Sequence, residues 1–357
     1  MPTQSMSSPK TMLAVVKSEP KAGAEVREVP VPKFGDNDVF VKVKVAAVCG
    51  TDLHIYDWDP WAQGRIKPPL VPGHEFCGEV AAVGKNVTSV KEGDFVSAEM
   101  HVACGKCYQC RIGEAHICQN VTIIGIDSDG AFAEYVVIPE SNIWKIGPKI
   151  PADYASILDP LGNAVYTVMS GEIAAQSIAI IGCGPIGLFA IAVARAVGAS
   201  TIFAIEPNEN RRRLAKEMKA DFALDPTKDD VKAEVLKATN GTGVDVVAEM
   251  SGNPNAIRQG FDILRMGGRA SLLGTPTKPV ELNLADAIIF KGATVHGIHG
   301  RRMYKTWYQM QELLKHGLLD LKPAITDRIA MKDFSQGMER LKSGAASKIL
   351  VYPNGVK

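Results

Sequence analysis

At 357 residues the chain is long enough for two domains and too long for one ordinary core. Hydrophobic residues make up 46% and charged residues 22%, as in globular proteins of aqueous compartments. A formal net charge of +1 excludes recognition of nucleic acid or of an acidic membrane surface by bulk charge alone.

Residues 1–10 are polar, without the apolar core of a signal peptide, and are expected to form a disordered tail. From residue 11 to about 148 the pattern is β. Short strands are expected at 12–16, 39–48, 79–83, 94–98 and 133–138, with turn residues between them. No long helical pattern occurs before Asp153. From about residue 159 strands at 177–181, 201–205, 222–224, 244–249, 269–273 and 294–298 alternate with helices at 188–196, 208–218, 228–239 and 255–265. That alternation predicts a doubly wound parallel sheet, so the fold class is α/β with a strand-rich first domain. A helix at 306–316 and a strand at 349–352 follow, the strand expected to rejoin the first domain. The uncharged stretch 173–194 is long enough to span a bilayer, but Gly182, Gly184 and Pro185 interrupt it, and strand–turn–helix explains it better.

That turn carries the first chemical signal. Gly182 and Gly184 allow a tight turn and close approach of a pyrophosphate, and Gly187 lets helix and strand pack closely. Glu206 ends the next strand about 20 residues on, where a dinucleotide fingerprint places the ribose-binding carboxylate. A glycine turn that binds nothing is the bland alternative, and the flanking strand and helix weigh against it.

Cys104, Cys107, Cys110 and Cys118 form C-x2-C-x2-C-x7-C. Four thiolates this close suit a closed, tetrahedral structural zinc site. An iron–sulfur run would close with a three-residue gap and a proline, whereas here the last gap is seven and Gln119 follows. Seven cysteines, an odd count, argue against a disulfide framework and for a cytoplasmic protein. Cys77 and Cys183 read as small apolar fillers.

Cys49, His74 and Glu75 offer thiolate, imidazole and carboxylate, a donor set that leaves zinc an open position for water or substrate. Taken singly, Cys49 reads as a buried cysteine and His74 as a hydrogen-bonded loop histidine, and spacing alone does not bring them together. Asp159, before Pro160, reads either as the cap of a helix at 163–169 or as a carboxylate beside the metal.

Together these segments resemble zinc-containing medium-chain dehydrogenases: Cys49-Gly50-Thr51-Asp52-Leu53-His54, Gly73-His74-Glu75, the four-cysteine lobe and the glycine turn, over nearly the whole chain from Thr11. The resemblance implies a GroES-like zinc-binding catalytic domain over 1–158, rejoined by about 301–357, and a Rossmann NAD-binding domain over 159–300. It implies NAD and two zinc ions per subunit, a homotetramer, and oxidation of the secondary alcohol of L-threonine to 2-amino-3-oxobutanoate. Cys49, His74 and Glu75 would hold the catalytic zinc, Thr51 and His54 would relay the alcohol proton, and Asp159 would support the relay beside the metal. Ile186, Glu206, Arg211, Leu273, Gly274, Thr275, Ile298 and His299 would contact the cofactor, with His299 standing where a tyrosine is more usual. A polyol or 2,3-butanediol dehydrogenase with the same relay, and a non-catalytic zinc- and nucleotide-binding module, remain the alternatives.

Overall fold

The computed structural model describes residues 9–355, so the expected tail lies mostly outside the described residues. Two sheets organise the chain. The first has strands in the spatial order Ile325–Ala330, Lys348–Tyr352, Asp38–Ala47, Phe76–Val83, Phe95–Ala98 and Ile143–Lys145, with Tyr135–Pro139 paired to Asp38–Ala47. Its pairings are antiparallel except that between Ile325–Ala330 and Lys348–Tyr352. The chain's last strand thus lies against one of its first, Leu350 facing Ala47 and Val351 facing Ala46.

The second sheet is parallel throughout, in the order Phe222–Leu224, Thr201–Ile205, Ser177–Ile181, Val244–Glu249, Leu264–Leu272 and Thr294–Gly297. Numbered along the chain this is 3-2-1-4-5-6, the doubly wound order, with its topological switch between Ser177–Ile181 and Val244–Glu249. Both strands are almost wholly buried, as expected where helices cover both faces. Phe203, Val247 and Phe261 pack on one side; Phe189, Ile191 and Val246 pack on the other. The latter core continues through Leu158 and Leu161 to Val45, Ala47 and Cys77 of the first sheet, so one apolar body joins the two halves.

The structure corrects the sequence reading in several places. Helices Gly50–Asp57 and Pro60–Arg65 stand where only strands and turns were expected. The helix read as 255–265 is Pro254–Ile263, and the chain enters strand Leu264–Leu272 without a loop. Asp159 caps nothing: helix Leu158–Val168 has Ile157 at its N-cap position, and Asp159 sits inside the first turn.

Candidate active site

The four cysteines of the lobe converge. The Sγ atoms of Cys107 and Cys110 are 3.5 Å apart, and those of Cys107 and Cys118 3.8 Å. Tetrahedral Zn–S bonds of about 2.3 Å place sulfurs roughly this far apart, and all four residues are free of disulfides. Backbone N–H groups turn inward: those of Cys104 and Asn120 each donate to Cys118 Sγ at 3.3 Å. Backbone donors from Lys106 and Cys107 pull the Cys104 thiol down to about 6, favouring thiolate. Burial and the neighbouring sulfurs push the Cys110 thiol up to about 12, the repulsion that a divalent cation removes. The lobe therefore fits zinc.

The second group forms where three segments meet. Cys49 ends the run after strand Asp38–Ala47 and is the N-cap residue of helix Gly50–Asp57. His74 and Glu75 precede strand Phe76–Val83, which is antiparallel to Asp38–Ala47. Ligand atoms of Cys49, His74 and Glu75 lie within 4.8 Å of one another. His74 and Glu75 are buried. Asp52 Oδ2 accepts the Cys49 N–H at 2.8 Å, while its Oδ1 lies 3.8 Å from His74 Nδ1, within charge attraction but beyond a hydrogen bond. Burial opposes a charged imidazole, yet the Cys49 sulfur and the Asp52 carboxylate hold His74 up to about 10. A buried cluster that stabilises positive charge this strongly fits a metal cation.

Around this group lie the expected Thr51 and His54, together with Lys348 and Asp59, which are not among the expected residues. Lys348 Nζ, buried, donates to both oxygens of Glu75, at 2.8 and 3.1 Å, and to the Val48 carbonyl at 2.8 Å. Thr51 Oγ1 is 3.8 Å from Cys49 Sγ. His54 is exposed, and its Nδ1 lies 2.6 Å from Asp59 Oδ2. Asp59 also caps the next helix, accepting the Ala62 N–H at 3.0 Å, which fixes the imidazole's partner; Asp59-Pro60 is the N-cap signal that could have revealed it.

A third group has the donors of a metal site: Glu99, His101 and Asp159. Its centre already holds a guanidinium. Arg301 Nη2 is paired with Glu99 and lies 2.6 Å from Asp159 Oδ2, and Trp307 Nε1 donates to Glu99 at 2.9 Å. Burial works against the Glu99 carboxylate, but Arg301, His101 and Trp307 hold it down to about 2. His299 lines the same small cavity as Glu99, His101 and Arg301.

The cofactor candidates divide. Gly182, Gly184, Glu206 and Arg211 line one crevice of about 570 Å³ at the switch point, with Met250, Ser251 and Asn253 opposite. Gly182 has φ +88°, and a Cβ on Gly187 would lie 2.0 Å from the Gly182 carbonyl, so both positions require glycine. A Cβ on Gly184 would meet nothing within 4 Å, which leaves the start of helix Pro185–Ala196 open to an anion. Glu206, buried at the rim, accepts N–H bonds from Cys183 at 2.8 Å and Asn208 at 2.9 Å. Burial pushes the Cys183 thiol up, in keeping with an inert filler. Ile186 is partly buried in the first turn of that helix. Leu273 and Gly274 donate their N–H groups to the Glu249 carbonyl, Ile298 donates to the Leu272 carbonyl, and Thr275 is exposed; none of these is in the crevice lining.

The chain matches two family models, Alcohol dehydrogenase GroES-like domain over residues 35–148 and Zinc-binding dehydrogenase over 185–316. It is 51% identical over 343 residues to an L-threonine 3-dehydrogenase from Caldanaerobacter subterraneus, covering 96% of this chain and 99% of that one. Among solved structures, a zinc-binding dehydrogenase from Sinorhizobium meliloti bound to NADP superposes with a TM-score of 0.88 at 30% identity, covering 97% of this chain and all of that one. The 2R,3R-butanediol dehydrogenase from Bacillus subtilis does so with 0.88 at 31%, covering 96% and 100%. Crevice, ligand clusters and relatives agree, and the chain belongs to the zinc-binding, medium-chain dehydrogenases.

Proposed function

We propose that this protein oxidises the secondary alcohol of L-threonine to 2-amino-3-oxobutanoate, with zinc and NAD. The observation that carries the reading is the convergence of Cys49, His74 and Glu75 beside Thr51, in a chain about half identical to an L-threonine 3-dehydrogenase. Cys49, His74 and Glu75 hold the catalytic zinc, and Cys104, Cys107, Cys110 and Cys118 the structural one. When bound, zinc and NAD supply Lewis-acid polarisation of the hydroxyl and a hydride acceptor. Thr51 Oγ1 would take the hydroxyl proton while giving up its own, and His54, its ring oriented by Asp59, would pass one proton to solvent. Asp52 and Lys348 orient the ligands, and Asp159, gripped by Arg301, sets the charge at the edge of the site. Formation of NADH with L-threonine, compared with sorbitol and 2,3-butanediol, tests the reading. Faster turnover on either diol would replace it.

Glu206 and Arg211 hold the adenosine ribose, and Ile186, Leu273, Gly274, Thr275, Ile298 and His299 border the cofactor. The Glu206 carboxylate accepts from a 2′-hydroxyl and repels a 2′-phosphate, so NAD is preferred to NADP although a structural neighbour binds NADP. We expect kcat/KM to favour NAD by at least about tenfold, the effect of one such contact. Equal efficiency with both cofactors would remove the argument.

The catalytic domain spans 1–158 with about 301–357, and the Rossmann domain 159–300. A homotetramer is supported by the outer strand Thr294–Gly297 with its exposed Val295, and by exposed Met266, Ile289 and Phe290 in the segments adjoining it in sequence or pairing with it. Light scattering measures it. The unpaired state of all seven cysteines supports a cytoplasmic location. Among the described residues no helix is long and apolar enough to cross a membrane.

A further inference from the structure

Glu249 is the last residue of strand Val244–Glu249, on the far side of the switch point from the glycine turn. It is fully buried, and among the described residues no cation pairs with it. A buried carboxylate without a cation must be held by other donors. Here all of them come from the turn that follows it, Ser251 and Gly252. Its Oε1 accepts the Ser251 N–H at 2.9 Å and the Ser251 hydroxyl, and both oxygens accept the Gly252 N–H at 3.2 Å. Its backbone carbonyl accepts the N–H groups of Leu273 and Gly274, at 2.9 and 3.1 Å. One residue therefore ties down two separate loops.

The loops leave no slack. A Cβ on Gly274 would stand 2.2 Å from the Gly252 nitrogen and 2.7 Å from Glu249 Oε2. A Cβ on Gly252 would stand 2.6 Å from the Thr275 carbonyl, and one on Gly182 2.9 Å from Ser251. The glycine turn, the 251–252 turn and the 273–275 loop are thus stacked at backbone contact, with the Glu249 carboxylate beneath. The stack continues outward: Ser251 Oγ accepts the Asn253 N–H at 3.1 Å, and Asn253 Oδ1 caps helix Pro254–Ile263. Met250, Ser251 and Asn253 form the wall facing Gly182 and Glu206.

We infer that Glu249 is a positioning residue for the dinucleotide: its carboxylate sets the wall from Met250 to Asn253, and its carbonyl sets the 273–275 loop. It touches no reacting atom. The inference rests on the reading of this crevice as the NAD site. Its effect falls on cofactor affinity and not on zinc or on the substrate pocket.

The test is NADH binding to the purified holoenzyme, followed by fluorescence, for the wild type, Glu249→Ala and Glu249→Gln. Glu249→Ala removes every acceptor beneath the turn, and its Kd for NADH should rise about tenfold, the cost of leaving buried N–H donors unmade. Glu249→Gln keeps the oxygen that faces Ser251 but turns an NH2 toward Gly252, and should give about threefold. In both, the KM for the alcohol at saturating NAD and the zinc content should stay at wild-type values. Wild-type Kd in folded Glu249→Ala overturns the inference. Where the alanine variant does not fold, an unchanged Kd in Glu249→Gln overturns it equally. A lower melting temperature with unchanged Kd identifies a merely structural residue. Failure of the wild type itself to bind NADH sinks the cofactor reading beneath it.

Discussion

The two cysteine-bearing clusters differ in their donors and in what surrounds them. In the lobe, all four donors come from one short segment, the ligating side chains are thiols only, and they are met by backbone N–H groups and the neutral Asn120 amide. Nothing in that set leaves a position open. At Cys49, His74 and Glu75, the donors come from different segments and are mixed, and charged side chains surround them: Asp52 on one side, Lys348 on the other. A closed shell of like donors stabilises a fold; an open, mixed shell with tuned neighbours has a coordination position to use. The difference lies in the side chains behind the ligands as much as in the ligands.

Removing one ligand from each breaks the comparison most directly. His74→Ala should lower kcat by several kcal/mol of barrier, about 10³-fold or more. Zinc content should fall from two per chain to one, with the melting temperature nearly unchanged, because the sheet around it is held by its own ladder and core. An active His74→Ala enzyme would leave the second cluster without its function. Cys107→Ser should do the reverse. The lobe has few apolar residues to hold it, so folding yield and protease resistance of 104–118 should drop severely, while residual folded enzyme keeps turnover within about tenfold. A stable Cys107→Ser variant would show that the lobe folds without its metal.

The same contrast explains what could be read in the sequence. The lobe is legible because its ligands are close neighbours, and the cofactor half is legible because its strands and helices are local patterns, with Gly182 directly after strand Ser177–Ile181 and Glu206 directly after Thr201–Ile205. Helix Gly50–Asp57 was not legible, since only Asp52 and Ile55 of its eight residues are buried and no apolar stripe marks it. It is held by the Cys49–Asp52 contact, which looks like loop chemistry in sequence. Lys348 reaches Glu75 across 273 positions, and Arg301 and Trp307 reach Glu99 across 202 and 208. No local pattern encodes such pairs. Asp159 was legible as a position but not as a contact: an acidic residue in the first turn suits a helix, and only the fold brings Arg301 to it.

Asp159→Asn sharpens the comparison at the boundary between ligand and neighbour. Asparagine keeps the shape and suits the first turn about as well, so the fold should survive. The charge facing Arg301 is lost, and kcat should fall about 10–100-fold, as when second-sphere partners of a metal are removed. Normal kcat and zinc content in Asp159→Asn would reduce the residue to a structural ion pair.

The smallest effect concerns the third group, which has metal-site donors and a guanidinium in the middle. Arg301 Nη2 between Glu99 and Asp159 supplies the positive charge that zinc supplies elsewhere, so fully loaded enzyme should bind two zinc ions and not three. The sign of the pH effect follows from Glu99. Its carboxyl titrates at about 2 in the folded protein against an ordinary value of 4.5, so the unfolded chain binds its proton first as pH falls. The stability it contributes is complete above about 4.5, declines from there, and is gone below about 2. Glu99→Gln removes that decline but leaves Arg301 facing one acid instead of two. Its melting temperature at neutral pH should therefore drop, and the fall between pH 4.5 and 2 should be shallower than in the wild type. Measured as parallel melting curves, identical acid slopes for the two proteins would mean that the guanidinium is not what keeps Glu99 ionised, and the third group would again be open to a metal.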